Sequence, residues 1–170
     1  ILDWCQFDSE TGAGIFTDIQ VIKISNSVPP TIFDAPDITV CNVMADDGGN
    51  LLRNGDFERG NLFFTNEFDY NELDIFEEGT YTVTTDAESV NANYRACGDH
   101  TSGSGNYLVI NGDPVVGKKL WCETIAVEQD VEYMYGAWIT NVSPFSRAEF
   151  TMTIDGELVT DSLQIVADPC

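Results

Sequence analysis

The chain alternates between short runs of β-branched and aromatic residues and clusters of glycine, asparagine and aspartate. The clearest run is 150–154, where apolar and polar residues alternate before Asp155-Gly156 and a second run at 157–159. This alternation predicts two β-strands, and Asp-Gly between them predicts a hairpin with a type I′ turn. No window of helical length keeps an apolar period of about 3.6 residues, so we expect at most a turn or two of helix. The pattern predicts an all-β sandwich.

A second long stretch predicts two further strands. Residues 124–139 are interrupted by the polar triplet 128–130, and both faces of the strand after it carry apolar residues, including Trp138. A strand that is apolar on both faces is expected to be buried on both sides within the sandwich. Shorter strands are predicted at 20–24, 81–85 and 107–110.

Acidic residues far outnumber basic ones. The chain has 29 Asp and Glu against 7 Lys and Arg, which gives a formal net charge of −22. Nucleic acid and anionic lipid are both recognised by clustered basic residues, so neither is an expected partner. No apolar stretch approaches the ~20 residues of a membrane helix, and we expect no direct membrane insertion.

Five cysteines are spaced too widely for a zinc knuckle or a redox pair. They favour disulfides in an oxidising compartment, and therefore an extracellular or bacterial cell-surface location. The odd number, together with the abrupt start and end of the chain, predicts a piece of a longer protein. We expect Cys170 to be the cysteine without a partner in this piece.

A domain boundary is predicted near the first prolines. Val28-Pro29-Pro30 cannot continue a central strand, and residues 1–26 are too few to fold alone. Residues 29–41 resemble the junctions between immunoglobulin-like repeats in large bacterial surface proteins. The resemblance implies that 1–26 is the C-terminal part of an immunoglobulin-like module, ending in its terminal hairpin, and that 27–49 is a linker.

Two disulfides are expected from this organisation. Cys5 and Cys41 are the expected partners across the junction. Cys97 and Cys122 are the expected partners within the second module, where the disulfide would join a loop to a central strand. The alternative for the second pair is two buried free thiols.

Residues 50–170 carry a more specific resemblance. The segment 50–60, Asn-Leu-Leu-Arg-Asn-Gly-Asp-Phe-Glu-Arg-Gly, resembles the opening strand of galactose-binding-like jelly rolls, especially carbohydrate-binding modules. Residues 97–109 resemble a segment of such bacterial modules and of meprin-type adhesion (MAM) domains, and 121–138 resembles their paired central strands. The resemblance implies a jelly roll that lacks its closing strands. It also implies a multidomain protein exported by the type IX secretion pathway, such as an adhesin of gliding bacteria.

The first motif favours calcium. Asn54, Asp56 and Glu58 supply oxygen donors around a glycine turn, and calcium prefers about six to eight such oxygens. In similar modules the acidic residue of the opening strand binds a structural calcium, which implies Glu58 as the first ligand. The resemblance to meprin-type domains implies Asp99 and Thr101 as further ligands. The alternative is a solvated acidic turn without a metal.

Glycan binding requires exposed aromatic rings that stack on sugars and polar groups that bind hydroxyls. Tyr94, Trp121 and Phe145 lie near predicted loops or strand ends and are the candidate platforms, with Arg95 and Asp99 as hydroxyl partners. For each aromatic residue the alternative is packing within the core.

No catalytic motif emerges from the chain. His100 is the only histidine, and its place before a glycine-rich turn predicts local hydrogen bonding. The sequence contains no nucleophile elbow, zinc motif or phosphate-binding loop. We therefore expect a non-enzymatic, calcium-stabilised module that binds glycans or a cell-surface protein beside neighbouring domains of the same polypeptide. The alternative function is a structural spacer or a homotypic adhesion repeat that binds no sugar.

Overall fold

The computed structural model describes residues 1–8, 13–23, 49–159 and 163–165. Within these residues the chain is almost entirely β-structure, with one helix of four residues. The elements in chain order are β1 (Leu2–Asp8), β2 (Ala13–Lys23), β3 (Asp69–Tyr70), β4 (Thr80–Thr84), α1 (Ala87–Val90), β5 (Tyr107–Asn111), β6 (Lys119–Ile125), β7 (Tyr133–Asn141), β8 (Glu149–Ile154), β9 (Glu157–Leu158) and β10 (Leu163–Gln164).

The strands form two five-stranded sheets. The first sheet has the order β10-β8-β1-β6, and β9 also pairs with β8. The second sheet has the order β3-β4-β5-β2-β7. Every pairing is antiparallel except that of β3 with β4. The all-β class predicted from the sequence is confirmed.

The first two strands are central strands of the two sheets. β1 lies between β6 and β8, and β2 lies between β5 and β7. Leu2 pairs with Ile125 and Gly14 pairs with Asn141. This arrangement differs from the predicted division of the chain into 1–26 and 50–170, because without β1 and β2 their four neighbours would lose ladder hydrogen bonds. Residues 27–48 of the predicted linker lie outside the described residues.

The main core lies between the sheets. Phe16 of β2 packs edge-on against Phe150 of β8, with ring centroids 4.6 Å apart. Trp121 of β6 is also buried in this cluster. Burying each side chain of this size contributes about 1.5 to 3 kcal/mol, so the contact between the sheets stabilises the fold.

A second core covers the outer face of the β4–β5–β2–β7 sheet. Tyr107 and Val109 of β5 alternate with Leu108 and Ile110, and they pack against α1 and the segment after it rather than into the main core. The Tyr107 hydroxyl donates to the Cys97 carbonyl at 2.7 Å and accepts from the Ala87 N–H at 2.8 Å. This outer layer holds the chain that leads into the loop at 98–106.

The predicted hairpin is confirmed. Ile154 pairs with Glu157, and the two residues between them, Asp155 and Gly156, have φ of 51° and 80°. Positive φ at both central positions is the signature of a type I′ turn.

The prediction for the strand at 131–139 is wrong in one respect. β7 is the last strand of its sheet among the described residues, and most of its side chains are half-buried. The Trp138 side chain is 45% exposed. Periodicity alone does not distinguish an edge strand from a central one when both faces carry apolar residues.

Both predicted disulfide pairings are wrong. Cys5 is bonded to Cys122, and their Cα atoms are 4.1 Å apart. The reason is the pairing of β1 with β6, which places these two residues directly opposite each other. Cys97 is disulfide-bonded as well, whereas Cys41 and Cys170 lie outside the described residues.

Candidate functional site

The loop at 98–106 is organised by one carboxylate. One oxygen of Asp99 accepts from the N–H groups of Thr101 at 3.1 Å and Ser102 at 2.7 Å. The other accepts from the Ser102 hydroxyl at 2.7 Å and from the Gly105 N–H at 2.5 Å. Burial raises the pKa of Asp99, but the hydrogen bonds from Ser102, Gly105 and Ser104 together outweigh it and hold this pKa well below its usual value.

Glu58 connects a second loop to this one. A carboxylate oxygen of Glu58 accepts from the Asn106 N–H at 2.7 Å. A Cβ at Gly105 would lie 2.3 Å from that oxygen, so only glycine permits this approach. Asp56, two residues before Glu58, accepts from the Glu58 N–H at 3.3 Å. The two sequence motifs at 50–60 and 97–109 are therefore in direct contact.

A bulge in β2 supplies the third part of the site. The pairing of β2 with β7 shifts register between Thr17 and Gln20, and Asp18 has φ of 49°. The Thr101 hydroxyl donates to Asp18. The Ile19 N–H donates to the Gly55 carbonyl at 2.8 Å, which joins the bulge to the loop that carries Asp56 and Glu58. Bulges commonly redirect a side chain toward a site.

These three segments line a cavity of about 400 Å³ that is open to the surface. Its lining residues are Asp18, Asp56, Glu58, Asp99, Thr101, Ser102, Ser104 and Gly105. Four carboxylates line one cavity, and none of its lining residues among those that the structure describes is basic. This chemistry suits a hard cation or a partner rich in hydrogen-bond donors. In the part of the chain that the structure describes, no group of three or more His, Cys, Asp or Glu side chains is arranged to hold a metal ion as it stands.

Four of the five predicted metal ligands line this cavity. They are Asp56, Glu58, Asp99 and Thr101. Asn54 is buried beside it instead, where its amide donates to the carbonyls of Gly60 at 2.8 Å and Leu62 at 3.0 Å. Its oxygen accepts from the Arg59 N–H at 2.9 Å, so Asn54 shapes the loop.

Sequence reasoning missed Asp18. It lies just before the strand predicted at 20–24 and belongs to none of the motifs quoted above. The polar pair Thr17-Asp18 between apolar residues was the available signal, since such an interruption is typical of a break in strand pairing.

The predicted glycan-binding residues are not brought together at the cavity. Tyr94 is buried in the second core, and Trp121 is 1% exposed in the main core. Phe145 is 85% exposed and Arg95 is also exposed. None of the four lines the cavity. Rings enclosed in the core have no face free for a sugar, so the structure removes Tyr94 and Trp121 as stacking platforms.

A different pair of rings lies on the surface. His100 stacks on Trp138 with ring centroids 3.6 Å apart and planes inclined by 10°. Sequence reasoning missed this pair, because the exposure of Trp138 follows from the place of β7 at the edge of its sheet among the described strands, and the sequence does not reveal strand order.

Comparison with known proteins leaves the family open. No protein-family model matches the chain, and neither a curated protein nor a solved structure matches it. Among the described residues, no helix has the length and apolar character required to span a bilayer.

Proposed function

We propose that this chain is a non-catalytic, calcium-stabilised module that binds glycans or another cell-surface protein and belongs to a larger secreted or surface-exposed protein. The observation that carries the proposal is the convergence of Asp18, Asp56, Glu58 and Asp99 on one cavity. These carboxylates come from the bulge in β2, from the loop at 54–60 and from the loop at 98–106.

Electrostatics favours a cation at this position. Like charges that share a site repel one another, and the formal net charge of −22 adds to the repulsion. A divalent cation offsets that repulsion and joins three segments that are distant in sequence. Because both oxygens of Asp99 already hold the 98–106 loop, we assign the coordination to Asp18, Asp56, Glu58 and the Thr101 hydroxyl, with Asp99 as the residue that positions Thr101.

The same contacts support a galactose-binding-like or MAM-like jelly roll as the finer fold class. The motif that resembles the opening strand of carbohydrate-binding modules meets the Asp-His-Thr motif through Glu58 and the Asn106 N–H. In this proposal β1 and β2 belong to the same sandwich. Export to a bacterial surface by the type IX pathway, and a role as an adhesin of gliding bacteria, are parts of the proposal that rest on the sequence resemblance alone.

The calcium site is tested by titration calorimetry on the full chain. We expect a dissociation constant of about 0.1 to 1 mM, as in other extracellular calcium modules. Glu58→Gln retains an oxygen that can accept from the Asn106 N–H but removes the charge, so affinity is expected to fall by about tenfold or more. Glu72→Gln, at an exposed acid outside the cavity, is the matched control and is expected to bind like the original chain.

Thermal unfolding provides an independent measurement. Calcium at ten times its dissociation constant is expected to stabilise the fold by about 1.4 kcal/mol, which raises the melting temperature by about 3 to 5 °C. An identical melting curve in saturating calcium and in saturating chelator would reject the site. If calcium binds but no glycan or surface protein does, the chain is the structural spacer of the alternative function.

A further inference from the structure

One tryptophan differs from the other two in its exposure. Trp138 is 45% exposed, whereas Trp4 is 4% and Trp121 is 1% exposed. Its ring lies parallel to His100 at a centroid distance of 3.6 Å, and His100 is itself exposed. His100 covers one face of the Trp138 indole, and the exposed remainder of the indole is a flat apolar surface of the kind on which the carbon face of a sugar ring stacks.

The ring pair is carried by two chain segments whose neighbouring residues line or adjoin the acidic cavity. His100 lies between Asp99 and Thr101, and both of these line the cavity. Trp138 lies directly opposite Thr17, the residue before Asp18. A ligand that rests on Trp138 and extends toward these neighbours would meet the carboxylate and hydroxyl oxygens of the cavity.

The rings are held in place before any ligand arrives. Asp99 accepts four hydrogen bonds within the loop that carries His100, and the Thr101 hydroxyl donates to Asp18. Trp138 belongs to a strand that pairs with β2 on both sides of the bulge. Ordered rings lose little conformational freedom on binding, which favours affinity.

The charge of the cavity defines the class of sugar. Within the described part of the chain its lining has four carboxylates and no basic side chain, so an anionic sugar would be repelled. Carboxylates accept hydrogen bonds from hydroxyl groups, and a bound cation adds a position for hydroxyl oxygens. We propose that Trp138, held in place by His100 on one face, is the stacking platform for an uncharged pyranose whose hydroxyls are bound at the acidic cavity. The proposal deepens the proposed function and rests on its glycan-binding part.

Trp138 can be followed by fluorescence because it is the exposed tryptophan among three. The full chain is titrated in calcium with neutral oligosaccharides of glucose, galactose, mannose and N-acetylglucosamine, and quenching by acrylamide is measured. We expect at least one oligosaccharide to protect the exposed fluorophore from quenching. Choline and spermidine are titrated in parallel, and protection by these cations without protection by any sugar would overturn the proposal.

Variants separate this inference from the proposed function. Trp138→Ala is expected to weaken sugar binding by about tenfold or more, measured by calorimetry, with calcium binding unchanged. Phe76→Ala, at an exposed aromatic outside the cavity, is the matched control and is expected to bind normally. Full sugar affinity in Trp138→Ala would contradict the role of Trp138 as the stacking platform, but it would still agree with the proposed glycan binding. Absence of any sugar binding by the original chain would contradict both the stacking platform and the proposed glycan binding.

Discussion

Asp99 is the residue on which the shape of the candidate site depends most. Its carboxylate accepts from two N–H groups through one oxygen, and from a hydroxyl and a third N–H through the other. An amide at this position has only one acceptor oxygen, and its NH₂ group would face donors. The fold of the loop, the position of Thr101 and the orientation of His100 therefore all depend on an ionised side chain.

Asp99→Asn is expected to destabilise the fold by about 1 to 3 kcal/mol, because N–H groups of the loop lose their acceptor. The measurement is chemical unfolding followed by circular dichroism. The original chain is also expected to lose stability as pH falls below the ordinary Asp value of 3.8, because the pKa of Asp99 in the folded state lies lower than that. The variant is expected to lose less over the same range. Equal acid sensitivity in the two proteins would contradict this role.

At the residue scale, sequence motifs predicted the chemistry better than the geometry. Asp56, Glu58 and Thr101 were predicted as ligands and do line the cavity. The inward position of Asn54 was not predictable, because an amide in a turn can face solvent or bind carbonyls equally well. The exposure of Trp138 depends on which strand forms the sheet edge, and that is decided by distant partners.

At the scale of elements, the turn between β8 and β9 tests whether Asp155 and Gly156 determine the local backbone conformation. Gly156 has φ of 80°, a conformation that side chains with a Cβ rarely adopt. Gly156→Ala is expected to destabilise the fold by about 1 kcal/mol. Gly136→Ala is the control, because a Cβ there meets nothing within 4 Å and its φ is not in that region. Equal thermal stability of the two variants would contradict the type I′ assignment.

Strands were predictable where alternation and turn residues agreed. The hairpin at 150–158 and the strands near 81–84 and 107–110 were predicted in this way, and the structure contains them. Strand order was not predictable, because a two-residue period states which side chains share a face and says nothing about the neighbouring strand. Both disulfide predictions failed for this reason, since the pairing of β1 with β6 brings Cys5 to Cys122.

At the scale of the whole molecule, the Cys5–Cys122 disulfide closes a loop across most of the chain, with a sequence separation of 117. A cross-link over such a distance restricts the unfolded chain strongly, and its loss is expected to cost about 2 to 4 kcal/mol. The double variant Cys5→Ala/Cys122→Ala removes this disulfide and leaves Cys97 unchanged. Chemical unfolding measures the loss, and equal midpoints for variant and original chain would contradict the expectation.

The position of β1 and β2 gives a test of domain organisation. A chain of residues 50–170 retains the segment predicted as a separate jelly roll but lacks a central strand from each sheet. We expect it to show no cooperative thermal transition and no ordered near-ultraviolet circular dichroism. The full chain is the control, and addition of a peptide of residues 1–26 is expected to restore part of the signal. A cooperative transition in the truncated chain alone would show that 50–170 is an independent unit.

The pairing of the first strands with the second half of the chain also has a kinetic consequence. Leu2 meets Ile125 and Gly14 meets Asn141, so neither sheet can close until most of the polypeptide is available. Folds dominated by such distant pairings form slowly, over about milliseconds to seconds, because loop closure precedes most of the favourable contacts. In that interval the unpaired edges of β5, β6, β7 and β8 are open to other molecules. Refolding is therefore expected to compete with aggregation, and its yield is expected to fall as protein concentration rises.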